Sequence, residues 1–216
     1  MPNKPNPIAN KTRLILDRQR SVARDFFSPQ KRPWEAVYSL SQRIRELGES
    51  LSYDEYDEIS DGIWVHVSAY VSPGAKITAP AIICGGAKLC HFSHVGSSVI
   101  GSFVTVGESS CISSSIIFDK ATVSCLSSIR SSVVGYKAYI GSHCSLSDLR
   151  IDRSKVEFHL PEGSFPTEKL RLGSLICDMA RIGDGTIVSA GSVIGESAKV
   201  RPLSKIEGFV DAYSLY

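Results

Sequence analysis

The histidines are the residues of this chain best suited to acid–base chemistry near neutral pH. His91 and His94 lie close together, whereas His66, His143 and His159 are scattered along the rest of the sequence. An imidazole titrates close to physiological pH, so it can remove a proton from an attacking amine or hydroxyl. We take His91 and His143 as candidate general bases, with a solvated surface histidine as the alternative interpretation of each.

Metal binding is a second chemistry that histidines could support. Zinc requires three or four ligands within tetrahedral reach, and no third histidine follows His91 and His94 at a suitable spacing. We therefore expect no metal. The six cysteines include no Cys-x-x-Cys pair and are expected to be reduced thiols. Four of them are expected to be small packing residues: Cys84, Cys90, Cys144 and Cys177.

The elements that would position these residues follow from a six-residue repeat of aliphatic side chains. The repeat shortens by one residue at Ile100, Ile117 and Val134, and it is interrupted after Leu146. Its 21 positions are Val65, Val71, Ile77, Ile83, Leu89, Val95, Ile100, Val106, Ile112, Ile117, Val123, Ile129, Val134, Ile140, Leu146, Leu170, Ile176, Ile182, Val188, Ile194 and Val200. A branched inward residue at this period, with small residues and glycines between, is typical of a tightly wound β-solenoid with three repeats per triangular coil. A β-sandwich, the competing fold, would show irregular spacing of about 8–12 residues.

The coil length predicts which residues stack on one another. Ile83, Ile100, Ile117 and Val134 are 17 residues apart and mark successive coils. By the same step His91 shares a column with Glu108, Cys125 and Ser142, and His143 lies beside that column. His91 and Cys125 are then two coils, or about 10 Å, apart.

The segments flanking the repeat divide the chain into three parts. Residues 1–62 are expected to contain a polar arm (residues 1–10), a helix that begins at Pro33 and ends at Gly48, and an acidic linker; the helix is a natural cap for the solenoid. Residues 63–208 are the solenoid, and residues 209–216 form a tail. A loop at about 150–169 leaves the coils, and its Arg150, Arg153 and His159 are candidate binding residues, with a tolerated insertion as the alternative.

Composition excludes several classes of protein. The formal net charge is +2 and 21% of residues are charged, which favours neither a polyanion-binding protein nor an acidic disordered tail. We expect no nucleic-acid partner, no membrane span and, since the first residues do not form a signal peptide, a cytoplasmic location. Serine is unusually frequent, at 34 residues.

Three motifs resemble those of a known family. Residues 114–121 read Ser-Ser-Ile-Ile-Phe-Asp-Lys-Ala, residues 147–152 read Ser-Asp-Leu-Arg-Ile-Asp, and residues 33–37 read Pro-Trp-Glu-Ala-Val. Over residues 63–208 the chain resembles the hexapeptide-repeat, left-handed parallel β-helix proteins, most of all the C-terminal acetyltransferase domain of sugar-1-phosphate nucleotidyltransferases such as N-acetylglucosamine-1-phosphate uridyltransferase. The nucleotidyltransferase domain, with its Gly-rich loop, has no counterpart here, so uridyl transfer is not supported.

The resemblance implies a homotrimer that binds acetyl-CoA and an amino sugar phosphate or nucleotide sugar between neighbouring β-helices. It also implies two site positions. Cys125 stands where the family has its catalytic histidine, and Asp148 stands where the family has a catalytic asparagine. We therefore expect an acyltransferase-like protein of envelope precursor synthesis; the alternative is a non-catalytic binding or assembly module that has lost its base.

Overall fold

The computed structural model describes residues 16–216, which form a parallel β-solenoid with one α-helix near its N-terminal end. This is the left-handed parallel β-helix predicted from the repeat and the resemblance. The predicted polar arm at residues 1–10 lies outside the described residues.

Each coil contributes one short strand to each of three faces. The face that we call the covered face consists of β2 (Ile63–His66), the ends of β4 (Lys76–Ile83) and β6 (His94–Ile100), β9 (Ile116–Ile117), β12 (Val133–Val134), β17 (Leu175–Ile176), β20 (Val193–Ile194) and β23 (Phe209–Val210). The seven-stranded face consists of β3 (Tyr70–Val71), β5 (Lys88–Leu89), β7 (Thr105–Val106), β10 (Thr122–Val123), β13 (Tyr139–Ile140), β18 (Arg181–Ile182) and β21 (Lys199–Val200). The third face consists of the beginnings of β4 and β6, β8 (Cys111–Ser113), β11 (Ser128–Arg130), β14 (Ser145–Leu146), β19 (Ile187–Val188) and β22 (Lys205–Ile206).

The predicted inward positions form the core, with one exception. Ile83, Leu89, Ile100 and their equivalents form a single buried cluster that runs along the solenoid, and Val71 and Ile77 of the first coil pack against it half-buried. Leu170 is 56% exposed, so its assignment to the repeat was wrong. The insertion follows Leu146, at the corner where consecutive inward positions are five residues apart and not six. The six-residue spacing that seems to connect Leu146 with Leu170 is therefore a coincidence. Ile206 and Val210, which the repeat analysis did not include, complete the core.

Hydrogen-bonded serines explain the unusual serine content. At the corner between the third face and the covered face, which we call the serine corner, the Oγ of Ser98 accepts a hydrogen bond from the backbone N–H of Ser115 at 3.1 Å. The Oγ of Ser115 accepts from Ser132 at 3.1 Å, and that of Ser132 accepts from Ser174 at 3.0 Å. The hydroxyl of Ser115 also donates to the carbonyl of Ser113, so the buried serines from Ser98 to Ser132 are paired. Ser192 continues the same column one coil beyond Ser174, and its buried Oγ has no hydrogen-bond partner among residues 16–216.

An apolar outer surface distinguishes the covered face from the other two. The residue before each inward position points outward, and on this face it is apolar and buried: Trp64, Ile82, Val99, Ile116, Val133, Leu175 and Val193. Residues 16–48 lie over this surface and contribute Leu16, Phe26, Phe27, Trp34, Leu40 and Ile44 to a second core. Residues 16–48 are therefore packed along the solenoid.

The N-terminal helix differs from the sequence prediction in extent and position. Three 3-10 helices (Arg18–Arg20, Arg24–Phe26 and Pro33–Val37) precede α1 (Leu40–Gly48). Ser39 has a φ of 52°, which separates the 3-10 turn at Pro33 from α1. The helix lies on the covered face, where a Cβ on Gly48 would come within 2.3 Å of the Trp64 ring, so it does not cap the solenoid end. Instead β1 (Tyr56–Ser60), from the acidic linker, pairs antiparallel with β2 of the first coil.

The remaining segments extend the solenoid and project from it. At the C-terminal end β23 continues the covered face, and Leu215 makes a parallel bridge to Lys199, so the predicted boundary at residue 208 falls inside the last coil. The insertion after Leu146 contains a hairpin of β15 (Glu157–Leu160) and β16 (Gly163–Pro166). Within residues 16–216 no helix is long and apolar enough to cross a membrane.

Candidate functional site

The corner between the seven-stranded face and the third face carries the column predicted from the 17-residue step. We call it the histidine corner; it consists of the residues two and three positions after each inward residue of the seven-stranded face, including His91, Glu108, Cys125 and His143. The backbone N–H of Leu126 donates to the carbonyl of Glu108 at 2.9 Å, and that of His143 donates to Cys125 at 3.0 Å. These bonds place Glu108, Cys125 and His143 in successive coils.

His91 is exposed and held by a single backbone contact. Its Nδ1 lies 3.0 Å from the carbonyl oxygen of Pro73 in the preceding coil. A carbonyl can only accept, so Nδ1 carries a proton, and in the neutral ring Nε2 has the free lone pair. In this tautomer Nε2 is the nitrogen that can act as a general base.

The other histidines are placed less favourably. His143 is exposed, and its ring has no hydrogen-bond partner among residues 16–216. In His94 the Nε2 atom lies 3.2 Å from the Thr78 hydroxyl on the third face. In His66 the Nδ1 atom accepts the backbone N–H of Ser68 at 3.1 Å. His91 is therefore the histidine with one nitrogen anchored and the other available at the predicted corner.

Burial disfavours the thiolate form of Cys84, Cys90 and Cys177. Cys125 is an exposed free thiol, and Cys90 is half-buried in the same corner. Burial raises the pKa of Cys90, and the charges of Cys125 and Glu108 raise it further. Deep burial raises the pKa of Cys84 to about 12 and that of Cys177 well above its ordinary value. Thiolates are not favoured at these positions, so packing is the role that fits the buried cysteines.

Asp148 lies away from the histidine corner, at the neck of the insertion. Its carboxylate accepts hydrogen bonds from Arg171 Nη1 at 3.1 Å and from the hydroxyl of Ser131 at 3.3 Å. Its carbonyl accepts the backbone N–H of Leu172 at 2.8 Å, and Leu149 makes an antiparallel bridge with Arg171. Asp148 is 7% exposed. These contacts close the neck of the insertion at the serine corner.

The predicted binding residues belong to the same insertion. The Nε of Arg150 donates to the hydroxyl of Ser154 at 2.8 Å, beside Asp152. Hydrogen bonds from the backbone and hydroxyl of Ser154 lower the pKa of the exposed Asp152 to about 2. Arg153 is exposed at a turn with a φ of 54°. Arg150 is thus held in place, whereas Arg153 is presented to solvent.

The hairpin of the insertion is fixed to the N-terminal segment. Trp34 stacks on Phe158 with a centroid separation of 4.0 Å, and the Arg32 guanidinium lies 3.8 Å from the Phe165 centroid. On the exposed side His159 Nδ1 lies 2.7 Å from the hydroxyl of Ser164 on the paired strand. His159 is therefore presented on a supported surface.

Within one chain the predicted site residues form two groups on different corners. His91, Cys125 and His143 share the histidine corner, whereas Asp148, Arg150, Arg153 and His159 share the insertion. Sequence reasoning missed the Pro73 carbonyl and the Arg171 partner of Asp148. The 18-residue step from Pro73 to His91 could have indicated the first; nothing in the repeat indicated the second. No group of three or more metal-ligating side chains that could hold an ion occurs in the described part of the chain.

Comparisons with known proteins give only distant likenesses. No family model matches the chain, and no curated protein matches it. The acetyltransferase domain of PglB from Neisseria gonorrhoeae is 17% identical, with 64% of this chain and 53% of that chain covered and a TM-score of 0.29. PerB from Caulobacter crescentus, in complex with CoA and GDP-perosamine, is 18% identical over 69% of this chain and 53% of that chain, with a TM-score of 0.33.

A third solved structure gives a similar result. A point mutant of AntD, an N-acyltransferase from Bacillus cereus in complex with dTDP and coenzyme A, is 18% identical over 68% of this chain and 74% of that chain, with a TM-score of 0.41. The chain thus spans about half the length of the PglB and PerB structures. Similarity at this level carries no argument about activity, which has to come from the residues of this chain.

Proposed function

We propose that the protein is an acyltransferase that uses acetyl-CoA to acetylate the amino group of a sugar phosphate or nucleotide sugar, with His91 as general base. The observation that supports this proposal is the contact between His91 Nδ1 and the Pro73 carbonyl, which in the neutral ring leaves the lone pair on Nε2. The sequence resemblance supplies the donor and acceptor classes.

The reaction requires one proton acceptor and a positioned amine. The amine nitrogen forms a bond to the thioester carbon while Nε2 of His91 takes the amine proton. The carbon–sulfur bond then breaks, and the leaving thiolate takes a proton from the imidazolium. A positioned base contributes about 10²–10⁴-fold to such a step.

The homotrimer implied by the resemblance is part of the proposal. In a closed three-fold ring each subunit presents one surface to the next, so the insertion of one chain could approach the histidine corner of its neighbour. Arg150, Arg153 and His159 would then bind the phosphate of the acceptor. Acetyl-CoA is made and consumed in the cytoplasm, where we expect the protein to act.

A non-catalytic module is the second candidate, and the surroundings of Asp148 and Cys125 favour it. Asp148 is engaged by Arg171 and Ser131 at the neck, and Cys125 offers a thiol where the family has an imidazole. The family position for asparagine therefore holds a carboxylate that closes the neck of the insertion, and the family position for histidine holds an exposed thiol.

The experiment is a coupled measurement of binding and turnover. Coenzyme A is the ligand named for the PerB and AntD structures, so acetyl-CoA is the first donor to test by calorimetry, followed by release of free thiol with glucosamine-1-phosphate and nucleotide amino sugars. We expect His91→Gln to lower kcat by about 10²-fold or more while acetyl-CoA binding persists, with His94→Gln as the matched control.

Each outcome separates the hypotheses. Full activity in His91→Gln with loss in His143→Gln would move the base to His143. No heat with millimolar acetyl-CoA and no thiol release from any acceptor would overturn the acyltransferase and favour the binding module.

A further inference from the structure

Three cationic side chains converge on the ring of Tyr136. The Arg20 guanidinium carbon lies 5.1 Å from the ring centroid, and the ammonium groups of Lys137 and Lys120 lie 5.2 Å and 5.9 Å from it. Tyr136 is at the corner between the covered face and the seven-stranded face, which we call the tyrosine corner and define by Asp119, Lys120, Tyr136, Lys137 and Asp178. This corner is distinct from the histidine corner.

The backbone fixes these cations in neighbouring positions. The N–H of Lys137 donates to the carbonyl of Asp119 at 3.1 Å, so the two lysines occupy equivalent places in adjacent coils. The N–H of Asp119 donates to the carbonyl of Arg20 at 3.1 Å, which fastens the first 3-10 helix over the same corner. Both lysines are exposed, and the Arg20 side chain is 53% exposed.

The three cations repel one another, and the carboxylates of Asp17 and Asp119 offset this repulsion only in part. Asp17 pairs with Arg20, whereas burial raises the pKa of Asp119 and the charges of Arg20 and Lys120 lower it by less. Adjacent coils are about 4.8 Å apart, and like charges on directly paired positions repel. The aromatic ring attracts cations by about 0.5–1 kcal/mol at exposed sites, which offsets the repulsion only in part.

The nearby carboxylates are largely occupied by backbone amides. Asp119 Oδ1 accepts the N–H of Ser102 at 2.8 Å. Asp178 accepts the N–H of Tyr136 at 2.8 Å on one oxygen and that of Asp17 at 2.7 Å on the other. Asp17 pairs with the Nε of Arg20 at 3.2 Å. Over residues 16–216 neither lysine has an ion-pair partner in direct contact, although the charge of Lys120 acts on the Asp119 carboxylate. Neither terminal nitrogen of Arg20 has a hydrogen-bond partner in the same range.

We infer that the tyrosine corner binds a phosphate-bearing ligand, with the phosphoryl oxygens between Lys120, Lys137 and the free edge of the Arg20 guanidinium. A phosphate would give both lysines an anionic partner in direct contact, and the terminal nitrogens of arginine suit phosphate geometry. The site stands independently of acyl transfer, because it uses none of the residues of the histidine corner.

The test measures binding of pyrophosphate and of ADP by calorimetry at low salt. We expect wild type and Lys76→Gln/Lys88→Gln, which removes two exposed lysines elsewhere, to bind pyrophosphate alike. Lys120→Gln/Lys137→Gln should bind at least about tenfold more weakly, because two charge-assisted contacts are lost. ADP that binds no more tightly than pyrophosphate would assign recognition to the phosphates alone; tighter ADP binding, lost in the same variant, would assign it to a nucleotide.

A second readout keeps the inference falsifiable if the variant changes the fold. Since the two lysines repel each other, Lys120→Gln/Lys137→Gln should have an equal or higher Tm than wild type without ligand, and added pyrophosphate should raise the Tm of wild type only. Equal pyrophosphate affinity in the variant and wild type, no binding at millimolar concentration, or a lower Tm of the ligand-free variant would each overturn the site.

Discussion

The Nδ1 atom of His91 lies 3.0 Å from the carbonyl oxygen of Pro73, one coil earlier in the solenoid. This contact assigns the ring proton to Nδ1 and makes Nε2 the available base. The histidine corner thus orients an imidazole with a backbone carbonyl and without a carboxylate partner.

The first prediction concerns this tautomer. In long-range ¹H–¹⁵N spectra of neutral protein, His91 should show a protonated Nδ1 and an unprotonated Nε2. His143, whose ring has no hydrogen-bond partner among residues 16–216, should show averaged tautomers. A protonated Nε2 on neutral His91 would contradict the assignment and remove the support for this residue as base.

The second prediction concerns the pH dependence of stability at Asp178. Burial raises the pKa of this carboxyl from 3.8 to about 6, and the charges of Asp17 and Glu196 act in the same direction, against hydrogen bonds from two backbone amides. The folded state therefore binds a proton more tightly than the unfolded state. The resulting contribution to stability is fully present below about pH 4 and is lost as the pH rises through about 6.

A thermal scan from pH 4 to pH 7 measures this effect. One pKa unit corresponds to about 1.4 kcal/mol, so the Asp178 contribution to the free energy of unfolding is on the order of 2–3 kcal/mol. Asp178→Asn cannot titrate, and its Tm should fall less between pH 4 and pH 6 than that of wild type. Asp211→Asn, an exposed control, should keep the wild-type slope; equal slopes in both variants would contradict the prediction.

The third prediction concerns the hydrogen-bonded serines of the serine corner. Ser115→Ala leaves the buried N–H of Ser132 without its acceptor and should lower the free energy of unfolding by about 1–3 kcal/mol. Ser128→Ala removes a half-buried hydroxyl on the third face and should change it by less than about 0.5 kcal/mol. Chemical denaturation measures both free energies of unfolding. Equal effects would show that the hydrogen bond from Ser132 to Ser115 adds no stability.

The fourth prediction concerns the stack between Trp34 and Phe158. Trp34→Ala removes a buried ring from the second core and should lower the free energy of unfolding by about 3–5 kcal/mol. Because the hairpin of β15 and β16 rests on this ring, its amides should exchange faster in the variant, while those of the seven-stranded face stay protected. Tyr70→Ala, which removes an exposed ring, is the control. Unchanged exchange in the hairpin of Trp34→Ala would show that the stack does not hold it.

The solenoid was predictable because every coil requires aliphatic residues at the same inward positions. An inward branched residue recurs whatever its neighbours are, so Ile83, Leu89 and Val95 identify three faces without any knowledge of contacts. The insertion was harder, since Leu170 satisfies the spacing by coincidence and only burial excludes it. The sequence predicted one helix from Pro33 to Gly48, but the left-handed backbone at Ser39 has no signature in side-chain spacing.

The candidate site was predictable only in part, for a related reason. Columns of residues follow from coil length, so the proximity of Cys125 and His143 could be inferred. The partner of His91 is a backbone carbonyl, and the type of the residue that carries it does not indicate such a contact. The cations around Tyr136 include Arg20, from a segment outside the repeat whose path along the covered face no periodicity could reveal.

The closed neck of the insertion has a consequence for how this protein can diverge. The chain leaves the serine corner at Leu149 and returns beside it at Arg171, so the coils on either side keep their register whatever lies between. Relatives could lengthen or exchange the exposed turn between Leu160 and Gly163 without any compensating change in the coils. The base of the hairpin is constrained instead, because Val156 and Phe158 are buried in the second core.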